Sequence, residues 1–258
     1  MTVRLSTGAR NGLIQGLGFS GMFNRGYIKV FSGAQPATAD AAETGTLLGT
    51  FSASSGALTK ETRATGSITL DTGASGSVDT VTVGGLNIIP DGAVPFATSL
   101  AQTASNLCDA INRNGIMEAS VSGATVTLKG RPGTGVTTAA VSSTVTTLTR
   151  SHVNMGSGVA GIAPVNGLYL GVPASGVIAK PSAQVWSFNG VALGTAGWAR
   201  FYSSDTADTG VLLSAAPWYP RLDGSCGVGS GDFQLSTVSI TVGLPVTLDT
   251  FQWTQPAA

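Results

Sequence analysis

Residues 66–85 read GSITLDTGASGSVDTVTVGG, and they open a stretch, 66–155, in which Phe96 is the only aromatic residue. All the tryptophans and tyrosines lie outside it: Tyr27, Tyr169, Trp186, Trp198, Tyr202, Trp218, Tyr219 and Trp253. A composition that changes and then changes back indicates one domain inserted into a loop of another. We therefore predict an outer domain, residues 1–65 plus 156–258, and an inserted module at 66–155.

The bulk composition favours a mainly β protein with many tight turns. The chain has 36 glycines among 258 residues, 10% charged residues and a formal net charge of zero, and β-branched residues are abundant. A hydrophobic content of 42% argues against disorder. Without basic clusters the chain is unsuited to nucleic acid. So sparsely charged a surface would be poorly soluble alone, and we expect partners to cover much of it.

Targeting and redox signals point to a reducing cytoplasm as the place of assembly. Glycines interrupt residues 1–17, which is not typical of a secretory signal. The longest apolar runs, such as 211–213, are far too short to span a membrane. Cys108 and Cys226 fall in different predicted domains, so we expect two free thiols rather than a disulfide.

The outer domain is predicted to be a β-sandwich or jelly roll. Residues 5–18 predict a short helix capped by Ser6 or Thr7, and 27–31 (YIKVF) alternate as a strand should. Further strands are predicted at 46–51, 168–170, 184–188, 199–203, 211–213, 238–242 and 246–253. About eight strands separated by turn residues are typical of those two folds.

The inserted module is predicted to be a small α+β domain with one helix over a sheet. Strands are expected at 66–71, 78–83, 119–121, 125–129 and 138–149. The helix covers residues 100–114, with Ser99 and Gln102 as a capping box and Gly115 as its stop.

Residues that carry chemistry are sparse. His152 is the only histidine and has no evident Ser-His-Asp or Cys-His partners, and we interpret it as an exposed linker residue. One histidine and two distant cysteines do not make a zinc site. Asp205 and Asp208 are interpreted as a polar hairpin tip, and the glycine-rich 130–135 lacks the ending of a phosphate loop. We predict no catalytic residue, no metal site and no cofactor.

Two groups of apolar and aromatic residues are predicted to hold the outer domain and its assembly. The candidate sandwich core is Phe31, Trp186, Trp198, Phe201, Phe251 and Trp253. The candidate assembly interface is Arg4, Leu5, Leu13, Leu17, Phe19, Phe23 and Tyr27, with strand edges beside it. An alternative use of the aromatics is a sugar-stacking platform of Trp198, Tyr202 and Trp218.

Three parts of the outer domain resemble virion structural proteins of tailed bacteriophages. They are residues 8–13 (GARNGL) with 26–40 (GYIKVFSGAQPATAD), then 197–202 (GWARFY), and then 232–251, from Asp232 to Phe251. The inserted module resembles a Gly/Thr/Val-rich motif that is common in phage and repeat-built surface proteins. That family has no catalytic residues to transfer, and the resemblance implies a building block of the particle.

The resemblance leaves three functions open. The first is a capsid decoration or cement protein that binds the major capsid protein and copies of itself, with a trimer as one arrangement. The second is a tail, neck or baseplate protein, with tail proteins as partners. The third is a glycan-binding adhesin module on the particle surface. All three place the chain in the virion, without nucleic acid or membrane as a partner.

Overall fold

The computed structural model of the chain describes residues 3–133, 138–205 and 218–255. In these ranges the helices are α1 (Thr7–Ile14), α2 (Gly18–Phe23) and α3 (Leu100–Asn114). The strands are β1 (Arg4–Leu5), β2 (Tyr27–Ser32), β3 (Leu47–Ala53), β4 (Thr65–Thr72), β5 (Ser77–Val83), β6 (Leu86–Asn87), β7 (Val94–Pro95), β8 (Glu118–Ser122), β9 (Thr125–Lys129), β10 (Val141–Thr146), β11 (Thr149–Val153), β12 (Val177–Ala179), β13 (Trp186–Asn189), β14 (Gly194–Tyr202), β15 (Arg221–Gly227), β16 (Phe233–Leu235), β17 (Ser239–Ile240), β18 (Pro245–Thr250) and β19 (Gln252–Thr254). The protein is mainly β, as predicted. The predicted strand at 211–213, and Asp208, lie outside the described residues.

Two compact units divide the chain. The outer unit combines Met1–Glu61 with Pro164–Ala258, and the inner unit is Thr62–Ala163. The inner unit extends beyond 66–155 because Thr62 and Thr65 form backbone pairs with Ile162 and Val159. Residues 156–163 hold no aromatic residue, so aromatic content could not place them.

Seven strands of the outer unit form a closed, barrel-like sheet. Hydrogen bonds join them in the order β15-β16-β18-β13-β3-β2-β14, and β14 pairs back onto β15. Only the β15–β16 junction in this ring is parallel. The predicted sandwich or jelly roll is not confirmed, because the sheet closes on itself. The closing strand β15 (RLDGSCG) was not predicted, since two charges and two glycines are unusual in a strand.

Aromatic side chains fill the core of the outer unit. Phe201 contacts Phe251 and Trp186, with ring centroids 5.6 and 6.1 Å apart. Phe23 of α2 reaches this group, since its centroid lies 5.0 Å from that of Phe201 and 4.7 Å from that of Phe19. The short helices therefore contribute directly to the barrel core.

The helix predicted at 5–18 is shorter, because α1 covers only Thr7–Ile14, and a second helix, α2, starts at Gly18. Ser6 caps α1, because its Oγ accepts a hydrogen bond from the N–H of Ala9 at 3.1 Å. The chain then turns at Gly16 and Gly18, whose φ angles of 77° and 68° suit glycine. Gly12 has no side chain where Met22 of α2 packs, and a Cβ there would overlap the Met22 sulfur. This close packing explains why the segment tolerates glycines that cost helix propensity.

The inner unit has two sheets and one helix. One sheet has the order β11-β4-β9-β8, and the other has β10-β5-β6 with β7 also on β5. The predicted helix is confirmed as α3: Ser99 Oγ accepts from the N–H of Gln102, and Gly115 ends the helix at φ 60°. The Gln102 side chain donates to Asn106, so the capping box is not reciprocal.

Two further predictions for the inner unit concern a hairpin, which is confirmed, and its last strand, which is only partly correct. The predicted hairpin is confirmed as β8–β9. The strand predicted at 138–149 is interrupted at Thr147, whose φ is 62°, and it forms β10 and the start of β11.

Candidate functional site

Adjacent strands of the barrel bury side chains on both faces. On β14, Ala199 and Phe201 belong to the barrel core. The alternate residues Trp198 and Tyr202 point to the other face and stack on β2: Trp198 on Phe31 with centroids 4.6 Å apart, and Tyr202 on Tyr27 at 5.1 Å. This second face is also buried, so β14 has no solvent side from Trp198 to Tyr202.

The cover over this face is a segment that we call the strap, residues 33–46. Its carbonyl at Ala41 accepts from Arg200 Nη1 at 2.8 Å, and Glu43 accepts from the Tyr202 hydroxyl. Asp40 accepts from both the N–H and the hydroxyl of Thr7, at 2.8 and 2.9 Å. The strap therefore ties β14 and the start of α1 together.

Beneath the strap, Arg200 and Asp223 form a bidentate ion pair. Arg200 Nε lies 2.6 Å from Asp223 Oδ1, and Nη2 lies 2.7 Å from Oδ2. Burial alone would lower the pKa of Arg200, but the hydrogen bonds and charge of Asp223 raise it above its ordinary value. This ion pair therefore joins two neighbouring barrel strands, β14 and β15, in a chain that has few charged residues.

The sugar-stacking platform predicted from Trp198, Tyr202 and Trp218 is wrong. All three side chains are buried, so none offers a ring face to a ligand. The alternation of β14 could not reveal this, because it shows which residues share a face but not what covers that face.

The predicted assembly interface needs a similar correction. Leu17, Phe19 and Phe23 are buried in the chain's own outer unit because α2 packs its aromatics into the barrel, and Tyr27 is buried because it stacks on Tyr202. Phe23 and Tyr27, which are 0% and 1% exposed, are out of a partner's reach in this conformation. Arg4, Leu5 and Leu13 are partly exposed, and Arg4 donates to the Pro36 carbonyl of the strap. The residues predicted as sandwich core are buried, except that Trp253 is half-buried.

Trp253 lines a groove of about 510 Å³, which we call the end groove. Its apolar walls are Leu13, Leu17, Phe19, Ile178 and Trp253, and glycines and Pro173 contribute backbone. None of its lining residues carries a charge. Ile14 and Val172, which neighbour lining residues in the chain, are 86% and 92% exposed. Such a volume is typical of protein sites that take several apolar groups.

A second uncovered apolar surface, the apolar tip, consists of Val191, Leu193, Val242 and Leu244, which are 57–75% exposed. The first two lie between β13 and β14, and the other two lie between β17 and β18. Gly190 joins these connections, because its N–H donates to the Leu244 carbonyl at 3.0 Å and its carbonyl accepts from Gly243 at 2.8 Å. Sequence alone did not single out these four residues, because they are isolated in short turns.

The inner unit presents paired hydroxyls instead of apolar groups. Cross-strand pairs between neighbouring strands are Thr69 with Thr125, Thr72 with Thr149, Thr80 with Thr144 and Thr82 with Ser142, at 2.7–2.9 Å. These neutral pairs stabilise the sheets and leave an uncharged, hydrogen-bonding surface.

Groups capable of chemistry are isolated. His152 is not in an exposed linker as predicted: it lies in β11, with Nε2 2.9 Å from Ser143 Oγ, and burial and Arg150 lower its pKa. Cys108 and Cys226 are free thiols, and burial raises the pKa of Cys226 to about 12. Across residues 3–133, 138–205 and 218–255, no three His, Cys, Asp or Glu side chains cluster as metal ligands. In the same ranges, no helix has the length and apolar character to cross a bilayer.

Comparisons with protein-family models, with curated proteins and with solved structures found no match for this chain.

Proposed function

We propose that this protein is a structural component of a tailed-bacteriophage particle, and specifically a capsid decoration or cement protein on the major capsid shell. The observation that carries the proposal is a pair of apolar surfaces that the described residues of the outer unit leave exposed, the end groove and the apolar tip. Exposed apolar patches mark binding surfaces. A chain with only 10% charged residues has few charges to keep such patches soluble, so we expect partners to cover them.

The internal use of charge supports the same proposal. Arg200 and Asp223 are paired in the interior, and Lys29 pairs with Glu43 at 2.8 Å under partial cover. Charged side chains that are paired inside the outer unit contribute little to the solubility of its surface. A protein that is covered by many neighbouring subunits tolerates a weakly charged surface, and the resemblance of residues 8–13, 26–40, 197–202 and 232–251 to virion structural proteins indicates other virion proteins as those neighbours.

The finer architecture is part of the proposal. We interpret Thr62–Ala163 as an α+β module inserted into the outer domain. In the role of a cement protein, the outer unit contacts the shell through its apolar surfaces. The inner unit then adds a neutral hydroxyl surface for further contacts.

A tail, neck or baseplate protein is the second candidate, because apolar surfaces on one barrel also suit rings and tubes of repeated copies. The glycan-binding alternative is weaker, since its three proposed stacking residues are buried.

Co-sedimentation tests the proposal. Particles assembled without this protein are incubated with the purified full-length chain, pelleted, and heated to find where the shell opens. We expect saturable binding and a higher opening temperature. A chain that stays in the supernatant at all concentrations would refute the virion role, whereas binding without stabilisation would refute the cement role.

A further inference from the structure

A row of side chains joins the two sheets of the inner unit along β10 and β11, and we call these contacts the seam. The two strands follow each other in the chain but belong to different sheets. Arg150, His152 and Asn154 alternate along the chain, so they project to one side of β11. Asn154 Oδ1 accepts from the Val141 N–H at 2.9 Å, and Arg150 Nη2 donates to the Ser143 carbonyl at 2.6 Å. His152 Nε2 lies 2.9 Å from Ser143 Oγ.

The seam satisfies backbone groups on the outer edge of β10. This strand is the last of its sheet and pairs with β5 on its other side. Val141 and Ser143 are both only 5% exposed, and their seam partners bond the N–H of one and the C=O of the other. Because buried backbone groups without partners are costly, β10 depends on these side chains to stay in place.

The hydroxyl of Ser143 makes the seam sensitive to the charge of His152. This hydroxyl accepts a hydrogen bond from Arg150 Nε at 3.3 Å and has one proton to donate. A neutral His152 ring can accept that proton at Nε2, whereas a protonated ring can only donate. Protonation therefore directs two cationic groups at one oxygen atom.

The surroundings of His152 favour its neutral form. Burial and the charge of Arg150 lower its pKa, and Asp71 on β4 opposes them only in part. Asp71 is the only charged residue of β4, and β10 has none, so the neighbouring strands supply no further charge.

We propose that the seam is a proton-sensitive junction, which holds β10 against β11 while His152 is neutral and loosens when its ring is protonated. A histidine with a lowered folded pKa binds fewer protons in the folded chain than in the unfolded one. The inner unit therefore keeps its full stability above the ordinary pKa of 6.5 and loses part of it as the pH falls toward the folded value. The junction is independent of the proposed place in a virion.

Titration of the full-length protein by proton NMR measures the first step directly. His152 is the only histidine, so its imidazole signals need no assignment among several rings. We expect a wild-type midpoint below the ordinary 6.5 and a higher midpoint in Arg150→Gln, which lacks the neighbouring charge. A wild-type midpoint at or above 6.5 would overturn the proposal, and so would an unchanged midpoint in Arg150→Gln.

Amide hydrogen exchange, corrected for intrinsic rates, shows whether the seam itself loosens. The reporters are the N–H groups of Val141, bonded to Asn154, and of Met155, bonded to the Ala139 carbonyl at 2.9 Å. Between about pH 7.5 and 5.5, we expect both amides to lose protection while those of β2 in the outer unit keep theirs. Full protection of both reporters at the lower pH would contradict the proposal.

Two glutamine substitutions on β11 separate His152 from other acid-sensitive groups. His152→Gln cannot titrate in this range, so its reporter amides should keep the same protection at both pH values. Val153→Gln is the matched control, because Val153 is 40% exposed, lies on the opposite side of β11 and should leave the wild-type response intact. If His152→Gln lost protection as the wild type does, another group would sense the proton and the proposal would fail.

Discussion

Arg200 on β14 and Asp223 on β15 are joined by two hydrogen bonds at 2.6 and 2.7 Å, with their side chains 1% and 0% exposed. This pair lies at the junction that closes the barrel-like sheet. A buried pair stabilises a fold less than its geometry implies, but removing one partner leaves the other buried and uncompensated.

We expect Asp223→Ala to lower the free energy of unfolding by about 3–5 kcal/mol. The control is Asp249→Ala, because Asp249 is exposed on β18 of the same unit and should change stability by about 0.5 kcal/mol or less. Urea unfolding followed by tryptophan fluorescence measures both. If the two variants were equally stable, the ion pair would have no part in closing the barrel.

Phe23 tests whether the short helices belong to the barrel core. Its ring is fully buried against Phe19 and Phe201, so Phe23→Ala should cost about 3–5 kcal/mol of unfolding free energy. Ile14→Ala is the matched change on an exposed helical side chain and should be nearly neutral. A neutral Phe23→Ala would show that Phe23 is not part of the barrel core and would favour its predicted place in the assembly interface.

The contacts of Glu43 predict that the stability of the fold falls as the pH is lowered. Burial raises its pKa, but hydrogen bonds from Lys29 and Tyr202 outweigh this and hold the pKa below its ordinary 4.5. A carboxyl with a lowered folded pKa stabilises the fold above its unfolded pKa, and this stabilisation is lost as pH falls through the folded value. Between about pH 5 and 3, wild-type stability should therefore fall more steeply than that of Glu43→Gln. Urea unfolding at several pH values tests this, and parallel curves would contradict it.

Removal of the inner unit tests the inserted-domain interpretation. In the outer unit, Thr59 and Val165 exchange both backbone hydrogen bonds, at 3.1 and 3.0 Å, so the chain leaves and returns at neighbouring points. Replacing residues 62–163 with a short Gly-Ser linker should leave an outer unit that unfolds cooperatively. All four tryptophans remain in it, so their fluorescence reports its folding directly. A chain without a cooperative transition would show that the outer unit depends on the inner one.

Local patterns predicted the local elements well. α3 could be predicted because cap, apolar stripe and terminal glycine all agree, and β2 because its residues alternate strictly. β15 could not be predicted, since Arg221 and Asp223 suit a strand only when Arg200 is beside them. That neighbour comes from a distant part of the chain.

The errors about the candidate site have a related cause. Phe19 and Phe23 form an apolar stripe, but a stripe does not reveal whether it meets the chain's own barrel or another protein. The tip residues escaped notice for the opposite reason. Val191, Leu193, Val242 and Leu244 are far apart in the sequence, and the pairing of Gly190 with the 241–244 turn brings them together.

Electron microscopy of particles that lack this protein, imaged after incubation with the purified chain, tests the central claim most directly. We predict added density at regular sites over the icosahedral shell, with the outer unit against the capsid surface. Density confined to the tail or to a single vertex would contradict capsid decoration, and particles without added density would contradict a structural role in the virion.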